Sequence, residues 1–172
     1  MKYWLTGLLI ASQICLPGFI HAADLSRQHL FRVERSKNAN IVQYDAQIDS
    51  SGNLFNAEPV IAYWVRLAEQ GQVKELSWAQ WTFAYGFETM FISGNGSVTL
   101  EMKADIDRRV IVLHDGENFR AATTIDGGNA YLDRVFVRSD RSGLFVSLES
   151  IELYGEDIRS AENRYEKIIF DP

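Results

Sequence analysis

The sequence predicts a mainly β fold: a single antiparallel β-sandwich or barrel of about 8–10 strands with one short aromatic helix at about 78–85. Three observations lead there. Apolar and polar residues alternate with period two in run after run, the mark of strands with one covered face. Turn residues rich in Gly, Asn and Asp punctuate those runs, the later ones about a dozen residues apart, which suits hairpins rather than βαβ crossovers. One segment alone has helical spacing and a helix cap.

Met1–Ala23 precedes the fold and has the layout of a secretory signal. Lys2 and the α-amine give a positive start, Tyr3–Leu16 an apolar stretch, Pro17-Gly18 a break, and Ala22 a small residue at the cut. The stretch is short for a membrane span, which argues against an uncleaved anchor. Cys15 follows Ile14, which is not the small residue that a lipidated Cys normally follows. The expected organisation is therefore a signal over 1–22 and one β-rich domain over 23–172. Cleavage removes Lys2, taking the net charge from −6 to −7, and removes the only Cys, so thiol and zinc-thiolate chemistry is excluded.

In Val42–Ile48, Val42, Tyr44, Ala46 and Ile48 share one face while Gln43, Asp45 and Gln47 share the other, as in a half-solvated strand. Val60–Leu67 is apolar on both faces except at Arg66 and reads as a central strand covered on both sides. Val98–Met102 alternates again, and Val110–Leu113, Arg120–Ile125, Tyr131–Val137 and Phe145–Leu153 are further strands. Between them lie the turn signals Asp49–Asn53, Gln70–Gln72, Gly94–Gly96, Asp115-Gly116, Asp126–Asn129 and Asp140–Gly143.

Ser77-Trp78-Ala79-Gln80 reads as a capping box, with Leu76 and Trp81 placed as a hydrophobic staple. Trp78, Trp81 and Tyr85 fall on one helical face, and Gly86 stands where a left-handed cap ends a helix. Two turns are unstable alone in water, so the aromatic face is expected to pack on the sheet.

Composition excludes several function classes. An acidic chain with no basic excess gives no footprint for nucleic acid. The apolar and aromatic content, 47% and 12%, excludes disorder. No residue set points to a metal or a cofactor: His29 and His114 are far apart, and Asp49, Ser51 and Asn53 lack the closing acid of a calcium loop. Asp105 and Asp107 read as exposed acids at a strand end. His114-Asp115 leaves a Ser-His-Asp arrangement open without marking any Ser as activated, and no carboxylate pair is marked either.

The informative segment is Phe31–Asn40. If Phe31 and Val33 point inward, period two sends Arg35 and Lys37 to the same face, where a cation needs a partner. One reading is a structural network, with Arg35 on an acid such as Glu101 or Asp133 and with Asn38 and Asn40 in a turn. The other is an anion-binding mouth in which Arg35 grips a carboxylate or phosphate through two N–H groups. Lys37, Lys103, Arg109, Arg120 or Arg134 would add charge from other strands. The polar contacts expected of such a site are Arg35, Lys37, Asn38, Asn40 and Arg120. Its apolar wall is expected from Tyr63, Trp64, Trp81 and Tyr85.

These blocks carry a resemblance. Phe31-x-Val33-x-Arg35-Ser36-x-Asn38-x-Asn40, Tyr63-Trp64, Ala84-Tyr85-Gly86-Phe87, Arg120-Ala121 and Ile125-x-Gly127 resemble a family of secreted bacterial domains known as domain of unknown function 4833. The resemblance runs from about His29 to about Ile169. It implies a single exported domain and transfers no activity, ligand or catalytic residue.

The expected protein is thus an exported β domain, periplasmic or secreted, with no transmembrane span once matured. It is read as a non-enzymatic binding module for a small anionic or amphipathic ligand or an envelope partner. Two alternatives stand beside that reading: a hydrolase or carbohydrate-active enzyme using a carboxylate or Ser-His pair in the same cleft, and a structural protein-interaction module.

Overall fold

A computed structural model describes residues 25–36, 38–91, 96–104, 108–140 and 147–170. The expected export signal, Lys37, Asp105 and Asp107 lie outside the described residues, as does the side chain of Asn38. The fold is mainly β. Eleven strands are described: β1 Ser26–Arg35, β2 Asn38–Ile48, β3 Val60–Arg66, β4 Gln72–Glu75, β5 Phe87–Phe91, β6 Val98–Met102, β7 Arg109–His114, β8 Phe119–Ile125, β9 Gly128–Asp140, β10 Ser147–Asp157 and β11 Asn163–Ile169. Among the described residues no helix is long and apolar enough to cross a membrane.

The strands form one sheet in the order β4-β3-β2-β1-β9-β8-β7-β6-β5, with β10 and β11 beyond β9. The nine-strand path curls into a half-barrel, so the expected sandwich or closed barrel is corrected. Its two free ends, β4 and β5, are not hydrogen-bonded to each other. The helical segment that follows β4 and precedes β5 links them instead.

The 13-residue β9 is the organiser. β10 runs along one of its edges. Its other edge is shared: Gly128–Tyr131 pair with β8, and Arg134–Val137 pair with Arg32–Arg35 of β1. That second pairing is parallel, so the sheet is not purely antiparallel as expected. Where β1 and β8 diverge, the Gln28 side-chain amide fills the gap. It donates to the Phe119 carbonyl and accepts from the Phe119 N–H, each at 3.1 Å, replacing a missing strand pair.

The core is one cluster drawn from both wings, including Phe31, Val33, Val42, Tyr44, Val98, Leu100, Val112 and Leu153. Phe31 and Tyr44 stack with centroids 4.3 Å apart. The alternation in β2 places Val42, Tyr44 and Ala46 in that core, as expected. Its opposite face is not solvated, however, because Asp45 and Gln47 are buried too. Nor is β3 covered on both sides: only Val60 and Trp64 are buried, since its outer neighbour β4 is four exposed residues.

The capping box forms as expected. The Gln80 N–H donates to Ser77 Oγ at 3.4 Å, and the Ser77 N–H donates to Gln80 Oε1 at 2.9 Å. The helix changes character after one turn: α1 covers Trp78–Gln80, and a π-helical turn covers Trp81–Tyr85. The extra residue in a π turn shifts the helical phase. Tyr85 is buried, but Trp78 is 75% exposed, which corrects the expected single aromatic face. Gly86 is extended (φ −70°, ψ 165°), not left-handed. Its N–H closes the π turn on the Trp81 carbonyl at 2.9 Å. A Cβ there would lie 2.1 Å from that oxygen, so close approach rather than a positive φ requires glycine. The left-handed turn comes elsewhere, at Asp126 (φ 49°) and Gly127 (φ 70°), which join β8 to β9 as a two-residue hairpin, so that Gly128 and Asn129 of the expected Asp126–Asn129 turn already belong to β9.

Candidate functional site

The C-terminal end of β1 delivers Arg35 to the rim of the core. Its guanidinium carbon lies 5.1 Å from the ring centre of Trp64 and 5.1 Å from that of Tyr85. The two rings meet edge to face at 5.4 Å, so they bracket the cation from two directions. Arg35 Nε is buried without a hydrogen-bond partner. Among the described residues Arg35 forms no ion pair. The acids offered by the structural-network reading are engaged elsewhere: Glu101 faces Arg109 at 3.3 Å, and Asp133 faces Arg32 at 3.4 Å.

Around Arg35 opens a groove of about 780 Å³, within the range of small-molecule sites. β1 to β4 supply one side, through Arg35, Asn40, Trp64, Arg66 and Lys74. The helical segment supplies the other, including Ser77, Gln80, Phe83, Ala84 and Tyr85. The capping box joins the two sides, because the Trp64 indole N–H donates to Gln80 Oε1 at 3.0 Å. Arg66 is paired with Glu69, whereas Lys74 has no ion pair among the described residues. Glu75 is the one carboxylate on the described lining. Burial raises the Tyr85 phenol above its ordinary pKa, against the opposing charge of Arg35, so the ring is neutral beside the cation.

The groove gathers four of the expected site residues: Arg35, Asn40, Trp64 and Tyr85. Three others lie apart. Trp81 packs on Phe87 at 5.0 Å. Arg120 stacks on Tyr131 at 4.1 Å and faces Asp115 at 3.9 Å. Tyr63 belongs to a polar cluster on the other face of the sheet, because neighbours along a strand point to opposite sides. Lys74, Phe83 and Ala84 were not legible as site residues. Arg66 carried a signal, as the one charged residue in an apolar strand.

The family-model comparison matches residues 31–167 to DUF4833, a domain of unknown function. The chain belongs to the DUF4833 family. No curated protein and no solved structure matches it. In this DUF4833 domain the matched span takes in Arg35 and the whole described groove.

A second hollow of about 940 Å³ lies against β7, β8 and β11. Its charges are mutually satisfied, with Arg108 on Glu166 at 3.0 Å and Arg109 on Glu101. His114-Asp115, the pair considered for a triad, caps a turn: His114 Nδ1 accepts from the Gly116 N–H, and Asp115 Oδ1 accepts from the Glu117 and Asn118 N–H groups.

The polar cluster around Tyr63 is structural in a way that can be measured. Asp45 accepts from Gln43 at 2.9 Å and from the Tyr63 hydroxyl, and His29 Nδ1 lies 3.2 Å away. Burial alone would raise the Asp45 pKa, but bonds from His29, Tyr63 and Gln43 outweigh it and hold it below the ordinary value. Burial first, then the bond to Asp45, pushes Tyr63 up to about 12. A lowered carboxyl stabilises the fold above the ordinary Asp range, and that contribution is lost as pH falls through the lowered value. Asp45→Asn should therefore be less stable than wild type at neutral pH, with the gap narrowing as pH falls. Urea titrations between pH 2 and 7 check it, and a gap constant with pH would refute it.

Proposed function

We propose that the protein is an exported, non-enzymatic binding module that holds a small anionic or amphipathic ligand in the Arg35 groove. The carrying observation is the half-buried guanidinium of Arg35, bracketed by Trp64 and Tyr85 with no ion pair among the described residues. A guanidinium set against two rings and free of an ion pair can still direct its terminal N–H groups at a carboxylate or phosphate. Lys74 adds a second positive charge on the same groove. Export rests on the layout of Met1–Ala23 and makes the ligand a component of the envelope or the surroundings.

Acid–base hydrolysis of a glycoside needs two carboxylates about the bond, and the described lining offers Glu75 alone. The envelope-partner reading has one observation in its favour, the edge-to-face pair Trp78–Phe83, whose rings are 75% and 72% exposed beside the groove.

The test is a mass-spectrometric search for a small acid released from protein exported by its native host. Arg35→Ala should lose that molecule, melt within a few degrees of wild type and keep its β spectrum. An Arg35→Ala protein that unfolds, with no ligand found on the wild type, gives the structural reading instead.

A further inference from the structure

Behind the groove lies a second space of about 100 Å³ inside the sheet. Its lining is almost wholly apolar and includes Phe31, Val33, Leu132, Val135, Ile151 and Leu153. The one charged side chain on the described lining, Arg108, is paired with Glu166. Water finds few hydrogen-bond partners in such a place, which suits hydrocarbon. The cavity shares two wall residues with the groove, Ala84 and Tyr85. The Tyr85 backbone is tied down, because its carbonyl accepts from the buried Tyr44 hydroxyl at 2.8 Å. Of the two shared residues, Ala84 has the smaller side chain.

We infer that the site takes a single-chain amphiphile whose anionic carboxylate or phosphate head sits on Arg35 and Lys74 and whose hydrocarbon chain passes Ala84 into the apolar cavity. This rests on the anion-binding reading of the groove and adds a chain to it. The two linings favour it: the groove carries Arg35 and Lys74, whereas the cavity behind it is lined almost wholly by aliphatic and aromatic side chains. A polar sugar or a short anion would use the outer half alone. The cavity holds about three water-sized groups. Each buried methylene multiplies affinity about fourfold, so three multiply it about 60-fold.

The experiment titrates the exported chain with acetate, decanoate, inorganic phosphate and decyl phosphate by calorimetry and chemical-shift mapping. With at least one head chemistry, the chain-bearing probe should bind about 60-fold tighter than its head alone. The favoured head tells a fatty carboxylate from a phosphate. Ala84→Leu, which thickens the wall, should reduce the gain from the chain to a few-fold. Val135→Phe fills the cavity from β9, outside the groove lining, and should do the same while the short anion binds as before. Thermal melts establish that both variants fold. If short and long probes bind alike, or if both variants keep the full gain, the amphiphile inference is overturned and the anion site stands. If no probe binds, the anion site falls with it.

Discussion

Tyr44→Ala is expected to lower the unfolding free energy by about 4 kcal/mol, the middle of the range for deleting a large buried aromatic side chain. Tyr44 is 0% exposed. It stacks on Phe31, meets Phe87 at 6.0 Å, and donates its hydroxyl hydrogen to the Tyr85 carbonyl. Truncation therefore leaves a cavity between the two wings and also an unpaired buried carbonyl. Tyr44→Phe separates the two costs, because it keeps the ring and removes the hydroxyl. It should cost about 1–3 kcal/mol from the unpaired carbonyl. Urea denaturation of both variants checks the order, and a Tyr44→Phe protein as stable as wild type would show that the hydroxyl bond does not hold Tyr85 in place.

The same residue predicts an alkaline limit. Burial, with a smaller push from Tyr85, raises the Tyr44 phenol far above its ordinary pKa of 10.0. The unfolded chain then gives up that proton first as pH climbs. A raised pKa stabilises the fold fully below pH 10 and loses that contribution above it. Wild-type stability should fall beyond pH 10, and Tyr44→Phe should fall less steeply.

What was legible in the sequence is what depends on neighbours a few residues away. The alternation of β2, the capping box at Ser77 and the turn signal at Asp126–Asn129 are all local patterns. Arg35 was legible for the same reason, since period two carries the face of Phe31 and Val33 to it. Long-range pairing was not legible. Nothing near β1 says that Arg32–Arg35 will lie parallel to Arg134–Val137, about a hundred residues away. Nothing near Asp45 says that it will be buried. Its partners His29, Gln43 and Tyr63 come from β1, β2 and β3 and meet only when the sheet forms. The helix shows the boundary between the two cases. Its cap is local and was read, whereas the π turn depends on where Tyr85 must be anchored and on the close approach of Gly86 to Trp81. That shift turned Trp78 outward and put Ala84 and Tyr85 between groove and cavity.

Trp64→Ala should cost about 3–5 kcal/mol and should also disable the groove. Trp64 is 7% exposed and lies where three arguments meet: it belongs to the core cluster, it forms one side of the bracket around Arg35, and its indole N–H holds Gln80. Losing the ring frees the guanidinium on one side and releases the capping box from β3. The rest of the bracket, Tyr85, is carried by the segment so loosened. Loss of stability and loss of anion binding should therefore come together in this variant, unlike Arg35→Ala, which should lose binding alone. Trp64→Phe is the discriminating control. It keeps a ring under Arg35 and much of the packing but loses the bond to Gln80, a cost of about 1 kcal/mol for one hydrogen bond. Its anion affinity should stay within a few-fold of wild type. If Trp64→Phe binds as poorly as Trp64→Ala while folding well, the tie to Gln80 rather than the aromatic bracket shapes the site. If Trp64→Ala is as stable as wild type, the ring is not part of the core at all.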